Sequence, residues 1–210
     1  MFDALLFDLD GTLIDTETVA LSTGQAAFGA LGLVASSAFM HSLIGKDYAA
    51  TRQTIRAHHP GLDLVALDET WNALFREATS ASLPLKPGSM ELIRAMAHLP
   101  LGLVTSSGRA EAHRKLAVAG LAPHFREVVT VDDVTSAKPA PEPYLLAAAR
   151  LGLAPARCLV FEDSEIGAEA AHRAGCTVVQ VPDLLPSSGR WAHHVAADLL
   201  SGARMAGLVL

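Results

Sequence analysis

The chain has 210 residues, with 16 basic and 22 acidic side chains, a formal net charge of −6 and half of its residues hydrophobic. That length supports one sizeable core plus a small satellite, and the acidic balance argues against a nucleic-acid surface. No apolar run approaches a membrane span, and Met1-Phe2-Asp3-Ala4 lacks the basic region and cleavage pattern of a secretory signal. The first element, Ala4-Leu5-Leu6-Phe7, predicts a central strand, apolar on both faces as parallel sheets require. It runs into Asp8-Leu9-Asp10-Gly11-Thr12, where extended geometry would put both acids on one side of the chain. The same letters also suit an ordinary Asp-Gly turn. Helical spacing then predicts helices over about 16–31, 47–58 and 67–81, with turns at Gly32, Pro60-Gly61 and Pro84 and almost no strand-like alternation.

From Pro87-Gly88 onward the pattern changes to alternating elements. Helices are predicted over 88–98, 109–119, 141–151 and 165–174, and strands over 101–105, 127–131, 157–161 and 177–181. Such alternation implies a doubly wound parallel sheet covered on both faces. Beyond Pro182, Ser187-Ser188-Gly189 reads as a loop and 190–202 as a peripheral helix. No internal repeat or low-complexity tract interrupts the chain.

Polar groups gather where the predicted strands end. Thr105-Ser106-Ser107 closes one strand, with Ser107 as an expected helix N-cap. Lys138 is set by Pro139 and Pro141 in front of a helix start. Glu162-Asp163 closes another strand. Taken singly these could be a helix cap, a surface lysine and a solvated helix start. Together they fall at the sheet edge where open parallel sheets bind ligands.

The set Asp8-x-Asp10-Gly11-Thr12, Thr105, Lys138 and Glu162-Asp163, with Gly167, Ala170-Ala171 and Ala174-Gly175 following, resembles the haloacid dehalogenase-like hydrolase superfamily. Within it, the chain resembles the group of β-phosphoglucomutase and many small-molecule phosphatases. The resemblance implies an α/β fold: a Rossmann-like core of residues 1–14 and 86–210, with a helical cap inserted as 15–85. Crossings near 12–15 and 83–87 would act as hinges. It also implies Mg²⁺, since hard oxygen ligands suit that ion. Asp8, Asp163, nearby Glu162 and the backbone carbonyl of Asp10 are the expected ligands.

Asp8 would attack phosphorus to form an aspartyl phosphate. Thr105, the Ser106 amide and Lys138 would hold the remaining oxygens. Asp10 would protonate the departing alkoxide and then take a proton from water. Holding an ordinary Asp protonated at neutral pH costs roughly 4 kcal/mol, a cost that crowded carboxylates and excluded water offset.

Dehalogenase relatives lack the second acid, so Asp10 favours phosphoryl chemistry. A phosphomutase is the alternative to a phosphatase, but mutase relatives carry His where Ala20 stands and Arg where Tyr48 stands. A phosphate-ester sensor without turnover is the remaining alternative. The loop Gly45-Lys46-Asp47 faces the active site in relatives, which makes Lys46 a candidate substrate contact, and Arg109 is another. The expected partner is a small sugar or polyol phosphate, bound by a monomer or a dimer, with no nucleic acid and no membrane. Cys158 and Cys176 lack metal-type spacing and read as buried thiols in a reducing cytoplasm. The pairs His58-His59 and His193-His194 read as surface groups. Neither a Gly-x-Ser-x-Gly elbow nor a P-loop is present.

Overall fold

The structure, a computed structural model, describes residues 1–46 and 48–210. It forms two compact units, Met1–Asp15 with Leu83–Leu210, and Thr16–Ser82.

The larger unit is built on a parallel sheet: β1 (Ala4–Phe7), β2 (Leu101–Val104), β3 (Glu127–Val129), β4 (Cys158–Glu162), β5 (Thr177–Gln180) and β6 (His194–Val195). Among the described residues the strand order is β3-β2-β1-β4-β5-β6. β1 therefore lies at the centre, buried on both faces, as its unbroken apolar run predicts. Alternation sends Leu5 and Phe7 into one core layer with Leu103, Leu159 and Phe161, and Ala4 and Leu6 into the other with Val160, Tyr144 and Ala171. The Phe7 and Phe161 rings stack at 5.2 Å between centroids. Phe7 pairs with Phe161 on β4 and with Leu103 on β2. One step further along, the register sets Asp8 beside Glu162, and Asp8 N–H donates to Phe161 O at 3.0 Å.

After Phe7 the chain winds tightly. Leu13 N–H and Ile14 N–H both donate to Leu9 O, and Gly11 N–H donates to Ile14 O. Gly11 has φ +84°, and a Cβ there would lie 2.6 Å from an Asp163 oxygen, so only glycine fits. Ile14 bridges to Asp10 and to Leu85. Asp15 N–H donates to Pro84 O and Lys86 N–H to Leu13 O, so the outgoing and returning segments pair with each other.

In the smaller unit, α1 (Thr16–Ala30), α2 (Ser37–His41), α3 (Tyr48–His58) and α4 (Leu64–Ala78) surround Phe28, Phe39, Met40 and Leu67. Asp47, in the expected loop 45–47 and at the start of the expected helix 47–58, lies outside the described residues. α4 starts earlier than its apolar spacing predicts, because Asp63 caps it through Val65 N–H and Ala66 N–H. α1 and α4 approach closely: a Cβ on Gly24 would lie 2.4 Å from the Trp71 ring, whose Nε1–H donates to Ala20 O.

The sheet of the larger unit is flanked by α5 (Ser89–Ala95), α6 (Arg109–Val118), α7 (Glu142–Arg150), α8 (Glu165–Arg173) and α9 (Leu199–Met205). The expected helix over 190–202 is not formed. His194–Val195 instead adds a short edge strand to β5, and α9 starts at Leu199 because Asp198 and Ser201 form a reciprocal capping box. Among the described residues no helix is long and apolar enough to cross a membrane.

Candidate active site

In the order β3-β2-β1-β4-β5-β6 the sheet reverses direction of winding between β1 and β4, the place where such sheets leave a crevice at their carboxyl ends. Asp8 stands at the end of β1 and Glu162-Asp163 at the end of β4. Lys138 joins them. Its ammonium donates to Asp8 at 2.7 Å, to Glu162 Oε1 at 2.7 Å and to Val104 O at 2.9 Å, which uses all three of its N–H donors. It also lies 5.0 Å from the centre of the Tyr144 ring.

Glu162 is fully engaged. Oε1 accepts from Lys138 and from Tyr144 Oη–H at 3.1 Å, while Oε2 accepts from the amide and the hydroxyl of Ser164, both at 3.0 Å. Only 1% of the residue is exposed. Asp163 lies over Gly11 and accepts from Thr12 Oγ1–H at 3.1 Å.

These acids are crowded and dry. Burial pushes the Asp8 carboxyl up to about 7, with Lys138 opposing and Glu162 and Asp10 adding to the push. Asp163 is pushed up to about 9, by burial first and then by Glu162 and Asp8. Burial works against the Lys138 charge, but Asp8 and Glu162 outweigh it and hold the ammonium protonated well above its ordinary range. One lysine cannot balance three ionised acids, so the site takes up protons, which a divalent cation would replace.

Among the described residues no three acidic, histidine or cysteine side chains converge to enclose an ion. The donor set nevertheless fits Mg²⁺, which binds through one or two carboxylates and keeps several waters. Asp8 and Asp163 each retain an oxygen beyond the one given to Lys138 or Thr12.

Asp10 has different partners from Asp8, because β1 ends at Phe7 and the wound loop takes over. Lys115 Nζ donates to both Asp10 oxygens, at 2.7 and 2.9 Å, and Ser107 Oγ–H donates to Oδ2 at 3.0 Å. Ser107 is thus not the helix cap its position suggests; Gly108 takes the N-cap position of α6. Thr105 is buried, with its N–H on Val129 O and its Oγ1 accepting from Ser107 N–H, while Ser106 lies exposed on the same turn.

Arg109 turns to the next loop, where its guanidinium donates to Asp133 at 2.9 Å. Lys46 belongs to the helical unit and there donates to Thr54 Oγ1 at 2.8 Å. Ala20 and Tyr48 both line a cavity of about 380 Å³ within that unit, alongside Arg52, Asp68, Trp71 and Phe75. Tyr48 Oη–H donates to Asp68 at 2.7 Å, and Arg52 pairs with the same carboxylate.

Sequence reasoning missed Lys115 and Tyr144. The signal for Lys115 was a lysine placed with Ala112 and Leu116 on the buried stripe of α6. Tyr144 carried no signal beyond sitting on the buried face of α7.

The sequence profile of a family described as haloacid dehalogenase-like hydrolase matches residues 2–175. Fructose-1-phosphate phosphatase YqaB of Escherichia coli K12 is 34% identical over 187 residues, covering 86% of this chain and 96% of that protein. Hexitol phosphatase A of the same organism is 34% identical over 181 residues, covering 84% and 81%. A provisionally named beta-phosphoglucomutase from Thermotoga maritima superposes with a TM-score of 0.84 at 26% identity, over 99% of this chain and 100% of that one.

Proposed function

Because this chain belongs to the haloacid dehalogenase-like hydrolases and is an enzyme of their phosphatase type, we propose that it hydrolyses the phosphate monoester of a small sugar or polyol through an aspartyl phosphate on Asp8. The observation that carries this reading is the Lys138 ammonium held between Asp8 and Glu162, 2.7 Å from each, at the carboxyl edge of the sheet. A fixed cation beside a nucleophilic carboxylate is what an anionic ester requires before it can be attacked. The naming of relatives for fructose 1-phosphate and hexitol phosphates supports the substrate class.

In the first half-reaction an Asp8 oxygen bonds to phosphorus, the bond from phosphorus to the alcohol oxygen breaks, and Asp10 gives its proton to that oxygen. In the second, water attacks phosphorus, Asp10 takes its proton, and the Asp8 carboxylate is released. The Thr105 hydroxyl, the Ser106 amide and Lys138 hold the phosphoryl oxygens throughout. Asp8, Asp163 and the main-chain carbonyl of Asp10 would hold Mg²⁺, which would supply positive charge when bound. Glu162 fits a different part from the metal ligand expected of it: its four hydrogen bonds make it the buttress of Lys138 and of the start of α8. Arg109 and Lys46, engaged by Asp133 and Thr54, carry no step. The unit Thr16–Ser82 is read as the cap. Every group invoked comes from one chain, so a monomer suffices, and the buried free thiols of Cys158 and Cys176 suit the cytoplasm.

The test is release of inorganic phosphate from hexose and polyol phosphates with Mg²⁺. Asp8→Asn is expected to lower turnover at least about a thousandfold, the scale on which removing a nucleophile acts. β-Glucose 1-phosphate separates the mutase alternative, since a mutase returns the 6-phosphate isomer and a phosphatase returns glucose and phosphate. Ala20 and Tyr48 favour the latter. Binding of every ester without turnover would identify a sensor and end the proposal.

A further inference from the structure

Two lysines divide the two catalytic aspartates between them. Lys138 takes Asp8. Lys115 takes Asp10, and the reaction as derived above gives Lys115 no part. It projects from α6 between Ala112 and Leu116 on the buried stripe and is itself only 7% exposed. An apolar side chain would fill that slot more simply. Immobilising a lysine and stripping its ammonium of water are both costly, and replacing a buried ion pair by well-packed apolar groups is often neutral or stabilising. Stability therefore does not account for a lysine here.

What the lysine does supply is direction. It grips both Asp10 oxygens, at 2.7 and 2.9 Å, and reaches Ser107 Oγ at 3.2 Å, while the Ser107 hydroxyl donates to Asp10 Oδ2 at 3.0 Å. Ser107 is the last residue of the turn that begins at Thr105, and its N–H donates to Thr105 Oγ1. The Asp10 carboxyl is thereby fixed to the turn that holds phosphoryl oxygens in the proposed reaction, with both of its oxygens held by donors on α6 and that turn. That fixes the direction in which it faces the reacting groups.

We infer that Lys115 is a positioning residue for the second half-reaction: with Ser107 it stations Asp10 as the acceptor for the attacking water's proton. In that step the water oxygen bonds to phosphorus, the bond between phosphorus and Asp8 breaks with its electron pair returning to the carboxylate, and one water proton passes to Asp10. Lys115 keeps its own protons. This inference rests on the aspartyl-phosphate reading of Asp8 and Asp10.

The test uses p-nitrophenyl phosphate with Mg²⁺, because nitrophenolate departs without needing a proton and the first half-reaction is spared. In rapid mixing, Lys115→Met is expected to release about one nitrophenolate per active site in a burst. Steady turnover then follows at a rate at least about tenfold below wild type, with kcat falling further than kcat/KM. Lys115→Gln, which keeps a donor in the slot but cannot grip both oxygens, should show the same burst, and Lys115→Arg should restore most of the turnover. Thermal melts verify that each variant is folded, and the Gln variant carries the test where the Met variant is not. Equal falls in kcat and kcat/KM without a burst, or an unchanged kcat in a folded variant, overturn the role of Lys115. Asp8→Asn distinguishes the parent reading: turnover in that variant refutes the aspartyl phosphate, and Lys115's role with it.

Discussion

Gly167 tests whether the Glu162 buttress matters. It lies in the first turn of α8, and a Cβ built on it would stand 1.6 Å from Glu162 Oε1, 2.0 Å from Cδ and 2.4 Å from Oε2. Gly167→Ala must therefore either push α8 off the sheet or rotate Glu162 away from Lys138, Tyr144 and Ser164. Each hydrogen bond lost by a buried carboxylate costs about 1.5–3 kcal/mol, and overpacking adds about 1–3 kcal/mol. Against this, alanine gains about 1 kcal/mol over glycine inside a helix. With two bonds lost, the net destabilisation is about 3–8 kcal/mol, which lowers Tm by about 6–32 °C for a protein of this size. Phosphatase turnover should fall as well, since Lys138 loses one of its three acceptors. Differential scanning calorimetry beside a phosphate-release assay reads both effects. Gly29→Ala is the control: nothing lies within 4 Å of its Cβ position, so that variant should be stabilised by up to about 1 kcal/mol. A Gly167→Ala protein melting at or above wild type would refute the reasoning.

Two further expectations concern charge. Asp133, whose side chain is only 5% exposed, accepts from the Thr130 amide and hydroxyl, Arg109 and Arg150. Burial opposes its charge, but Thr130 and Arg150 outweigh that and hold the carboxyl below the usual range. A lowered native pKa contributes stability that is complete above the unfolded value of about 3.9 and is lost as pH falls through the native value. Asp133→Asn should thus lie about 2 kcal/mol below wild type in urea titrations at pH 7, with the gap closing below about pH 4; a gap that ignores pH would count against this ion-pair network.

Adding Mg²⁺ to chelator-treated protein should restore turnover and raise Tm. The gain is about 2.7 kcal/mol at a hundredfold excess over Kd, or about 5–10 °C. Asp8 and Asp163, raised to about 7 and 9, must lose their protons to bind the ion, so this shift should shrink toward acid pH. Absence of any shift, in Tm or activity, would remove the metal from the mechanism.

The legible parts of the fold were those with a strong local pattern. β1 and β4 announce themselves as runs apolar on both faces, and the acids that close them mark the crevice. β6 has two residues and no period to detect; it exists because the edge of β5 offers it hydrogen bonds. α2 is five residues long, shorter than any window that resolves helical spacing. In the site, motif spacing picked out Asp8, Lys138 and Glu162-Asp163, but it could not say which acid would be spent on hydrogen bonds. That depends on Tyr144, brought from α7 by tertiary packing. Lys115 was hidden for a related reason: a lysine on a helix is read as facing water, and only the folded α6 turns it inward.

The central position of β1 also dictates when the protein can be completed during synthesis. Leu5 meets Leu101 on one side and Leu159 on the other, so β1, which precedes both in the chain, waits for both neighbours. Until β4 is out, an apolar strand buried on both faces at maturity has one flank unmatched, and such long-range pairing is slow and prone to aggregation. A nascent chain halted before Glu162 already has Lys138 to set against Asp8 but lacks the carboxylate that buttresses that lysine, so the sheet edge that carries Asp8 is not assembled until β4 has been made.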